Sequence, residues 1–236
     1  MKAFDFCWDR GSISNFWDMY SEVMPEGYFS KKFGNDILRI AKKNLGFQGR
    51  ILDFGCGPGF LLNKLVNIPN SKLYGVDASE ENVLMTRQRL GGYKNFCFAE
   101  LISESFFAKN HSAFDCVFLI ECLEHILPEE NQKFFHRISA LVAPQGKIII
   151  TVPNKEDFEK SKCVCPNCGA VFHKYQHMTQ WNSETIINFA NLAGFKCLAC
   201  KETAFTGFRF LNFPFALAHK FYYGYKPNLI YIGQKL

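Results

Sequence analysis

The chain has 236 residues, of which 48% are hydrophobic and 21% are charged, and its formal net charge is +5. This length and composition indicate one large globular domain with a substantial core, and they exclude a disordered chain. The mild positive charge permits an anionic substrate but does not by itself favour nucleic acid. No apolar run is long enough to cross a bilayer, and the N-terminus lacks the apolar core of a signal peptide, so we expect a cytoplasmic protein.

The predicted elements alternate between strands and helices along most of the chain. Residues 1–30 are rich in aromatic side chains and are interpreted as a cap. A helix is predicted from Ser30 to about Gly46 by apolar residues at helical spacing. Further helices are predicted at FLLNKLVN, SEENVLMTRQRLGG, PEENQKFFHRISALV and SETIINFANLAGF. Strands are predicted at RILDFG, KLYGVD, NFCFAE, FDCVFLI, GKIIITVPN, FKCLACKET and NLIYIGQK. Because the strands are largely unbroken apolar runs between helices, the pattern predicts a doubly wound, mostly parallel seven-stranded α/β sheet.

The first strand-to-helix turn, ILDFGCGPGF, carries the strongest functional signal. Bare backbone there allows a sharp turn and the close approach of a ligand at Asp53, Gly55, Gly57 and Gly59. Asp77 ends the next strand, twenty residues after Gly57. In a doubly wound sheet, that carboxylate can accept hydrogen bonds from the ribose of a nucleotide. A dinucleotide fingerprint would need glycine where Phe60 stands, which makes NAD the weaker interpretation.

This D-x-G-x-G-x-G turn, followed by GVDAS, resembles the class I S-adenosylmethionine-dependent methyltransferases over residues 51–154. The resemblance implies a Rossmann-like methyltransferase domain over residues 31–236, with S-adenosylmethionine as its cofactor. It also implies the cofactor-binding residues. These are Asp53, Gly55, Cys56 and Gly57 near the methionine end, Asp77 and Ala78 at the ribose, Glu100 or its neighbour Ala99 at the adenine, and Glu121.

The fourth strand ends in FLIECLEHILPEE, a segment with the pattern E-x-x-E-H. It resembles segments of the ubiquinone-biosynthesis-type O-methyltransferases and of the methyltransferases that modify the 3'-terminal ribose of small RNAs. At the start of a helix, Glu121, Glu124 and His125 would face one point. Two carboxylates and an imidazole there suit a divalent cation such as Mg²⁺ or Mn²⁺. The alternative is that the segment binds no metal, the acidic residue contacting substrate or cofactor while the histidine packs.

The stretch CVCPNCGAVFHKYQHMTQW contains five more candidate ligands. In the small-RNA enzymes, a histidine in an H-x-x-x-W segment completes the E-x-x-E-H site, and the resemblance assigns this role to His177. The ligands that remain have the number and type of a closed structural zinc site: Cys163, Cys165, Cys168 and His173. We therefore predict a zinc-binding insertion over residues 155–182.

Other ligand sets are open. A rival zinc site would use Cys165, Cys168, His173 and His177, and the cluster could also bind no metal. Cys197 and Cys200 form another C-x2-C pair, which could join Cys165 and Cys168 in a four-cysteine site. Residues three apart on a strand are expected to point to opposite faces, however, which disfavours binding of one ion by both Cys197 and Cys200.

The motifs together predict an S-adenosylmethionine-dependent methyltransferase that methylates a hydroxyl group of a small molecule or sugar. A cation at Glu121, Glu124, His125 and His177 would lower the pKa of that hydroxyl, or one of the two histidines would act as a general base. An aromatic segment at residues 204–227 is expected to cap the acceptor pocket. The alternatives are methylation of an RNA 3'-terminal ribose, a non-catalytic docking module, and an enzyme that lies on a membrane surface.

Overall fold

The computed structural model describes residues 2–24, 26–43, 46–205 and 226–236. The strands in these ranges are β1 (Phe4–Asp5), β2 (Gly49–Phe54), β3 (Ser71–Asp77), β4 (Phe96–Leu101), β5 (Phe114–Ile120), β6 (Val142–Pro153), β7 (Lys162–Val164), β8 (Ala170–His173), β9 (Phe195–Thr203) and β10 (Asn228–Lys235). The helices are α1 (Arg10–Val23), α2 (Phe29–Lys42), α3 (Phe60–Leu65), α4 (Glu80–Leu90), α5 (Glu104–Lys109), α6 (Asn131–Leu141) and α7 (Ser183–Leu192). Short 3-10 turns lie at Leu123–His125 and Phe158–Ser161.

Seven strands form one sheet in the order β4-β3-β2-β5-β6-β10-β9. β10 runs antiparallel to both of its neighbours, β6 and β9, and the pairs among β4, β3, β2, β5 and β6 are parallel. The predicted α/β sheet, seven-stranded and mostly parallel, is confirmed. The short helix α5 and a second sheet in the order β1-β8-β7 were not predicted.

Both faces of the large sheet are buried, which explains its apolar strands. In β5, Val117 and Leu119 pack into one core cluster, whereas Phe118 and Ile120 pack into the other. Helices α2, α3 and α4 contribute to the second cluster, and α5, α6 and α7 to the first. Because helices cover both faces, the carboxyl ends of the parallel strands are where a ligand can reach the sheet.

The β9–β10 pairing contains an irregularity that corrects the expectation for Cys197 and Cys200. Ala199 pairs with Ile232 and Cys197 with Gly233, so Leu198 is skipped in the register. This extra residue brings both cysteines onto the same face, where they pack against one core cluster. The expectation of opposite faces is wrong because it assumed a regular strand.

The predicted boundary between the cap and the methyltransferase domain, at residue 30, falls inside α2. This helix was predicted from Ser30 to about Gly46, whereas it spans Phe29–Lys42. The aromatic cap predicted at residues 204–227 lies almost wholly outside the described residues. Within the described ranges, no helix combines the length and the apolar character needed to cross a membrane.

Candidate active site

The glycine turn after β2 has a backbone that side chains would disturb. Gly55, Gly57 and Gly59 have φ angles of 75°, 52° and 77°, a region that L-residues rarely adopt. A Cβ added at Gly57 would lie 2.8 Å from ring carbon Cε1 of Tyr28. The hydroxyl of Tyr28 is in turn 2.6 Å from Ser21 Oγ at the end of α1. The region that precedes the sheet therefore covers the glycine turn directly.

Asp77 connects the end of β3 to this turn. Its carboxylate accepts hydrogen bonds from the backbone N–H of Gly57 (2.8 Å) and Ser79 (3.0 Å) and from Asn82 Nδ2 (3.1 Å). Burial raises the pKa of Asp77, although these hydrogen bonds act in the opposite direction. Burial, followed by the nearby charge of Asp77, raises the pKa of Asp53 well above its ordinary value. Two carboxyl groups are thus buried side by side at the carboxyl ends of the strands.

A cavity of about 640 Å³ opens at this edge of the sheet. It is lined by seven of the residues predicted to bind the cofactor, namely Asp53, Gly55, Cys56, Gly57, Asp77, Ala78 and Glu121. Glu100 is not part of the lining, and Ile102, just beyond the end of β4, lies there instead. Helix α1 and the segment after it supply aromatic walls, among them Trp17, Tyr20 and Tyr28.

The E-x-x-E-H segment follows β5 without forming an α-helix. Glu121 has a φ of 49°, which is uncommon for a residue with a side chain. Its backbone N–H donates to the carbonyl oxygen of Thr151 in β6, at 3.0 Å. Leu123–His125 then form a single 3-10 turn. The predicted helix start is wrong, but the tight turn still places Glu124 and His125 on the site.

The segment around His177 is fastened to this turn by hydrogen bonds. The backbone N–H of Met178 donates to the carbonyl oxygen of Glu124 at 2.7 Å. Gln176 Nε2 donates to the carbonyl oxygen of His125 at 2.9 Å, and Trp17 Nε1 donates to Gln176 Oε1 at 3.1 Å. As a result, the ring centroids of His125 and His177 lie 4.9 Å apart.

Glu124, His125 and His177 form a group of potential metal ligands, with one ligand atom from each within 4.8 Å of the others. Glu124 is fully buried, and neither of its carboxyl oxygens has a hydrogen bond of normal geometry to a described residue, although the carboxyl group of Glu121 lies against it. Burial and the charge of Glu121 raise the pKa of Glu124 well above its ordinary value. Burial also raises the pKa of Glu121, to about 7. Glu121 is close enough to raise the pKa of Glu124, but it is not one of the three potential metal ligands.

The ring nitrogens of the two histidines indicate what this group can bind. His125 Nδ1 lies 3.4 Å from the carbonyl oxygen of Gln176 and donates to it, so Nε2 carries a lone pair. That Nε2 is 3.9 Å from Glu124 Oε1, which is too long for a hydrogen bond. Burial and His177 lower the pKa of His125 to about 3 and keep the ring neutral. His177 Nδ1 contacts the carboxylate of Glu156, so in the neutral ring Nε2 carries the lone pair. One carboxyl group and two imidazole nitrogens that converge in this way suit a divalent cation, whose charge would favour the ionised form of Glu124.

Glu156, in the connection after β6, was missed by the sequence reasoning. It forms a second group of potential ligands with His173 and His177. Burial favours a higher pKa for Glu156, but hydrogen bonds from His173 and His177 outweigh it and lower the pKa to about 2. Its only sequence signal was its position inside the predicted insertion, because Glu156 belongs to no recognisable motif.

The structure separates His173 from the cysteines with which it was predicted to bind zinc. In the β7–β8 hairpin, Cys163 pairs with Phe172 and Lys162 pairs with His173. Because consecutive residues of a strand point to opposite faces, Cys163 and His173 face opposite sides of the hairpin. In the described part of the chain, no group of three potential ligands includes a cysteine. Neither zinc set with His173 is therefore assembled among the described residues, and zinc binding by the cysteine cluster stays a prediction.

The sheet order, the glycine turn after the first strand of the large sheet and the acidic residue at the end of the second define a class I methyltransferase fold. A profile described as a methyltransferase domain matches residues 27–199. The chain belongs to this methyltransferase-domain family.

Individual relatives agree with this assignment. The chain is 32% identical over 163 residues to the mitochondrial ubiquinone biosynthesis O-methyltransferase of Dictyostelium discoideum, which covers 60% of this chain and 50% of that protein. The chain thus spans about half the length of the curated relatives that it matches.

Solved structures share the fold at low identity. One is a chain from the complex between the Haloferax volcanii Trm112 methyltransferase activator and a methyltransferase, with a TM-score of 0.66, 16% identity, and coverage of 92% of this chain and 96% of that one. Another is a SAM-dependent methyltransferase from Aquifex aeolicus, with a TM-score of 0.58, 17% identity, and coverage of 98% of this chain and 100% of that one.

Proposed function

We propose that this protein is an S-adenosylmethionine-dependent O-methyltransferase, assisted by a divalent cation, that acts on a catechol or vicinal-diol hydroxyl of a small molecule or sugar. The convergence of one ligand atom each from Glu124, His125 and His177 within 4.8 Å carries the cation part of the proposal, together with the burial of both Glu124 oxygens outside any normal hydrogen bond. They lie beside a cavity whose volume of about 640 Å³ is typical of small-molecule sites. The name of the Dictyostelium relative agrees with oxygen as the methylated atom.

The glycine turn and its two aspartates fit a cationic cofactor. S-adenosylmethionine supplies an activated methyl group on a positively charged sulfur. The lack of a side chain at Gly57 lets the ring of Tyr28 pack on the turn, and Asp77 holds the turn through the Gly57 N–H. The raised pKa values of Asp53 and Asp77 reflect burial, and a cationic ligand would favour the ionised form of both.

On the acceptor side, Glu124, His125 and His177 would hold the cation, with Glu121 next to them. The ion would supply Lewis acidity, which lowers the pKa of an acceptor hydroxyl. An acceptor with two adjacent oxygens can coordinate one ion through both of them. The rings of Trp17 and Tyr175 line the same cavity, and Trp17 packs against His125 at a centroid distance of 4.7 Å. These rings exclude water and can stack on a planar acceptor.

The test is methyl transfer from labelled S-adenosylmethionine to a panel of catechols and sugar diols, with and without a chelator. Removal of one cation ligand, in His177→Ala, is expected to lower the cation content and reduce the rate about 100-fold or more, since Lewis acidity contributes several kcal/mol. The matched control is His136→Ala, an exposed histidine on α6.

Transfer that is unaffected by both the chelator and His177→Ala would exclude the cation from the reaction. Transfer to the 3'-terminal ribose of an RNA oligonucleotide, with none to the small diols, would replace the proposed acceptor with the second hypothesis. Protein that binds S-adenosylmethionine but methylates none of these acceptors would contradict the acceptor class.

A further inference from the structure

The protonation of His173 can be deduced from its neighbours. Its Nδ1 lies 3.3 Å from the backbone nitrogen of Tyr175 and 3.2 Å from that of His177. Both are N–H donors, so Nδ1 accepts and carries no proton. The proton of the neutral ring is therefore on Nε2, which lies 3.2 Å from Glu156 Oε1 and donates to it.

The same carboxylate determines the protonation of His177. Glu156 Oε2 contacts His177 Nδ1, and an ionised carboxylate can only accept, so the proton is on Nδ1. Nε2 of His177 is then the nitrogen with a free lone pair, as the cation group with Glu124 and His125 requires. Each oxygen of Glu156 accepts from one of the two rings, which is the arrangement of an ionised carboxylate.

A second cation between Glu156 and His173 is the weaker interpretation. Both oxygens of Glu156 already contact a ring nitrogen, one of His173 and one of His177. The rings of these two histidines stack with their centroids 4.5 Å apart. Glu124 differs, because both of its oxygens are buried and lack a hydrogen bond of normal geometry in the described chain. The Glu156 group is satisfied without an ion, whereas the Glu124 group is not.

We propose that Glu156 is a positioning residue that holds His177 in its Nδ1–H tautomer, so that Nε2 is presented to the cation, while His173 holds Glu156. The role in cation binding rests on the proposed function; the role in fixing the tautomer does not. Carboxylates that bind the far nitrogen of a metal-ligating histidine orient the ring and raise its basicity.

The first test reads the tautomers directly in metal-free protein labelled with ¹⁵N-histidine. The chain has six histidines, so their ring signals can be assigned by substitution. We expect the proton of His177 on Nδ1 and that of His173 on Nε2. In Glu156→Gln, the amide can accept from one ring only and must present its NH₂ to the other, so at least one of the two tautomers should change. A His177 proton on Nε2 in the wild-type protein would overturn the proposal.

The second test is titration with Mn²⁺. Glu156→Gln is expected to weaken Mn²⁺ binding by about 10- to 100-fold, with S-adenosylmethionine affinity unchanged, and Glu156→Asp should recover part of the loss. The control is Glu159→Gln, an exposed glutamate of the same connection that pairs with Lys162. Unchanged Mn²⁺ affinity in a folded Glu156→Gln protein would overturn the role in cation binding. A wild-type protein that binds no Mn²⁺, Mg²⁺ or Zn²⁺ at the Glu124 group would instead overturn the proposed cation site, and the tautomer measurement would still decide whether Glu156 orients His177.

Discussion

The glycine turn and the histidine segment meet in one cavity but are built over very different lengths of chain. The turn and its partner Asp77 lie within a single strand-helix-strand unit, and the Gly57–Asp77 hydrogen bond closes it. The cation group instead unites the turn after β5 with the segment before α7, which are about fifty residues apart. The first depends on backbone conformations that only glycine adopts easily, and the second on hydrogen bonds between distant segments.

This difference has a consequence for function. The cofactor side should respond to single backbone changes in the turn, whereas the cation side should respond to anything that shifts the Gln176–Met178 backbone against Glu124 and His125. Trp17 reaches the cation side through Gln176, so α1 supports both regions. Substitutions outside α1 should therefore separate the two regions, each losing its own ligand first.

Gly57→Ala should have the largest effect and should act on the cofactor side alone. A left-handed φ costs an L-residue about 1–2 kcal/mol, and the new Cβ would also displace Tyr28. We expect S-adenosylmethionine affinity to fall at least about tenfold, with Mn²⁺ affinity unchanged, when both are measured by calorimetry. The control is Gly92→Ala, where an added Cβ meets nothing within 4 Å. Equal losses of both ligands would show that the two regions are not independent.

The second prediction concerns the stability of the metal-free protein. The pKa values of Glu121 and Glu124 are raised, so the folded chain keeps protons that the unfolded chain releases. Their stabilising contribution is present below the ordinary carboxyl pKa of 4.5 and is lost as the pH rises toward about 7. The lowered pKa of His125 acts with the opposite sign below its ordinary value, 6.5, so the comparison must be made against a variant.

Glu124→Gln is that variant, because it removes the buried acid but keeps the shape. Relative to the wild-type protein, its melting temperature in chelator should rise by a few degrees between about pH 5 and about pH 8. Adding Mn²⁺ should reverse the order, since only the wild-type protein gains the ion. A difference in melting temperature that does not change with pH would contradict the raised pKa of Glu124.

Cys168→Ser should have the smallest effect on the site. Cys163 and His173 face opposite sides of the hairpin, so the cysteine loop can bind or lose zinc without altering the Glu124 group. If the loop binds zinc, elemental analysis should show one equivalent lost, with Mn²⁺ affinity and melting temperature in chelator close to wild-type values. Loss of Mn²⁺ binding together with zinc would mean that His173 links the two.

Some features could be derived from local sequence alone. The strands of the sheet are recognisable because burial on both faces demands continuous apolar residues, and the turn at Gly57 because its conformation nearly demands glycine. The histidine pair is only partly predictable. His177 was assigned through a resemblance, whereas Glu156 carries no motif and was found only through its contacts with His173 and His177.

The sequence by itself determined the α/β sheet, the glycine turn and the candidate ligands of the E-x-x-E-H segment, since these depend on residue type and short-range spacing. Only the tertiary structure decided how those ligands are grouped. The register of the β7–β8 hairpin turned His173 away from Cys163, and the hydrogen bond from Met178 to Glu124 brought His177 to the carboxylate. These groupings depend on which distant backbone groups form hydrogen bonds with one another. A one-residue change of strand register would move each side chain to the opposite face.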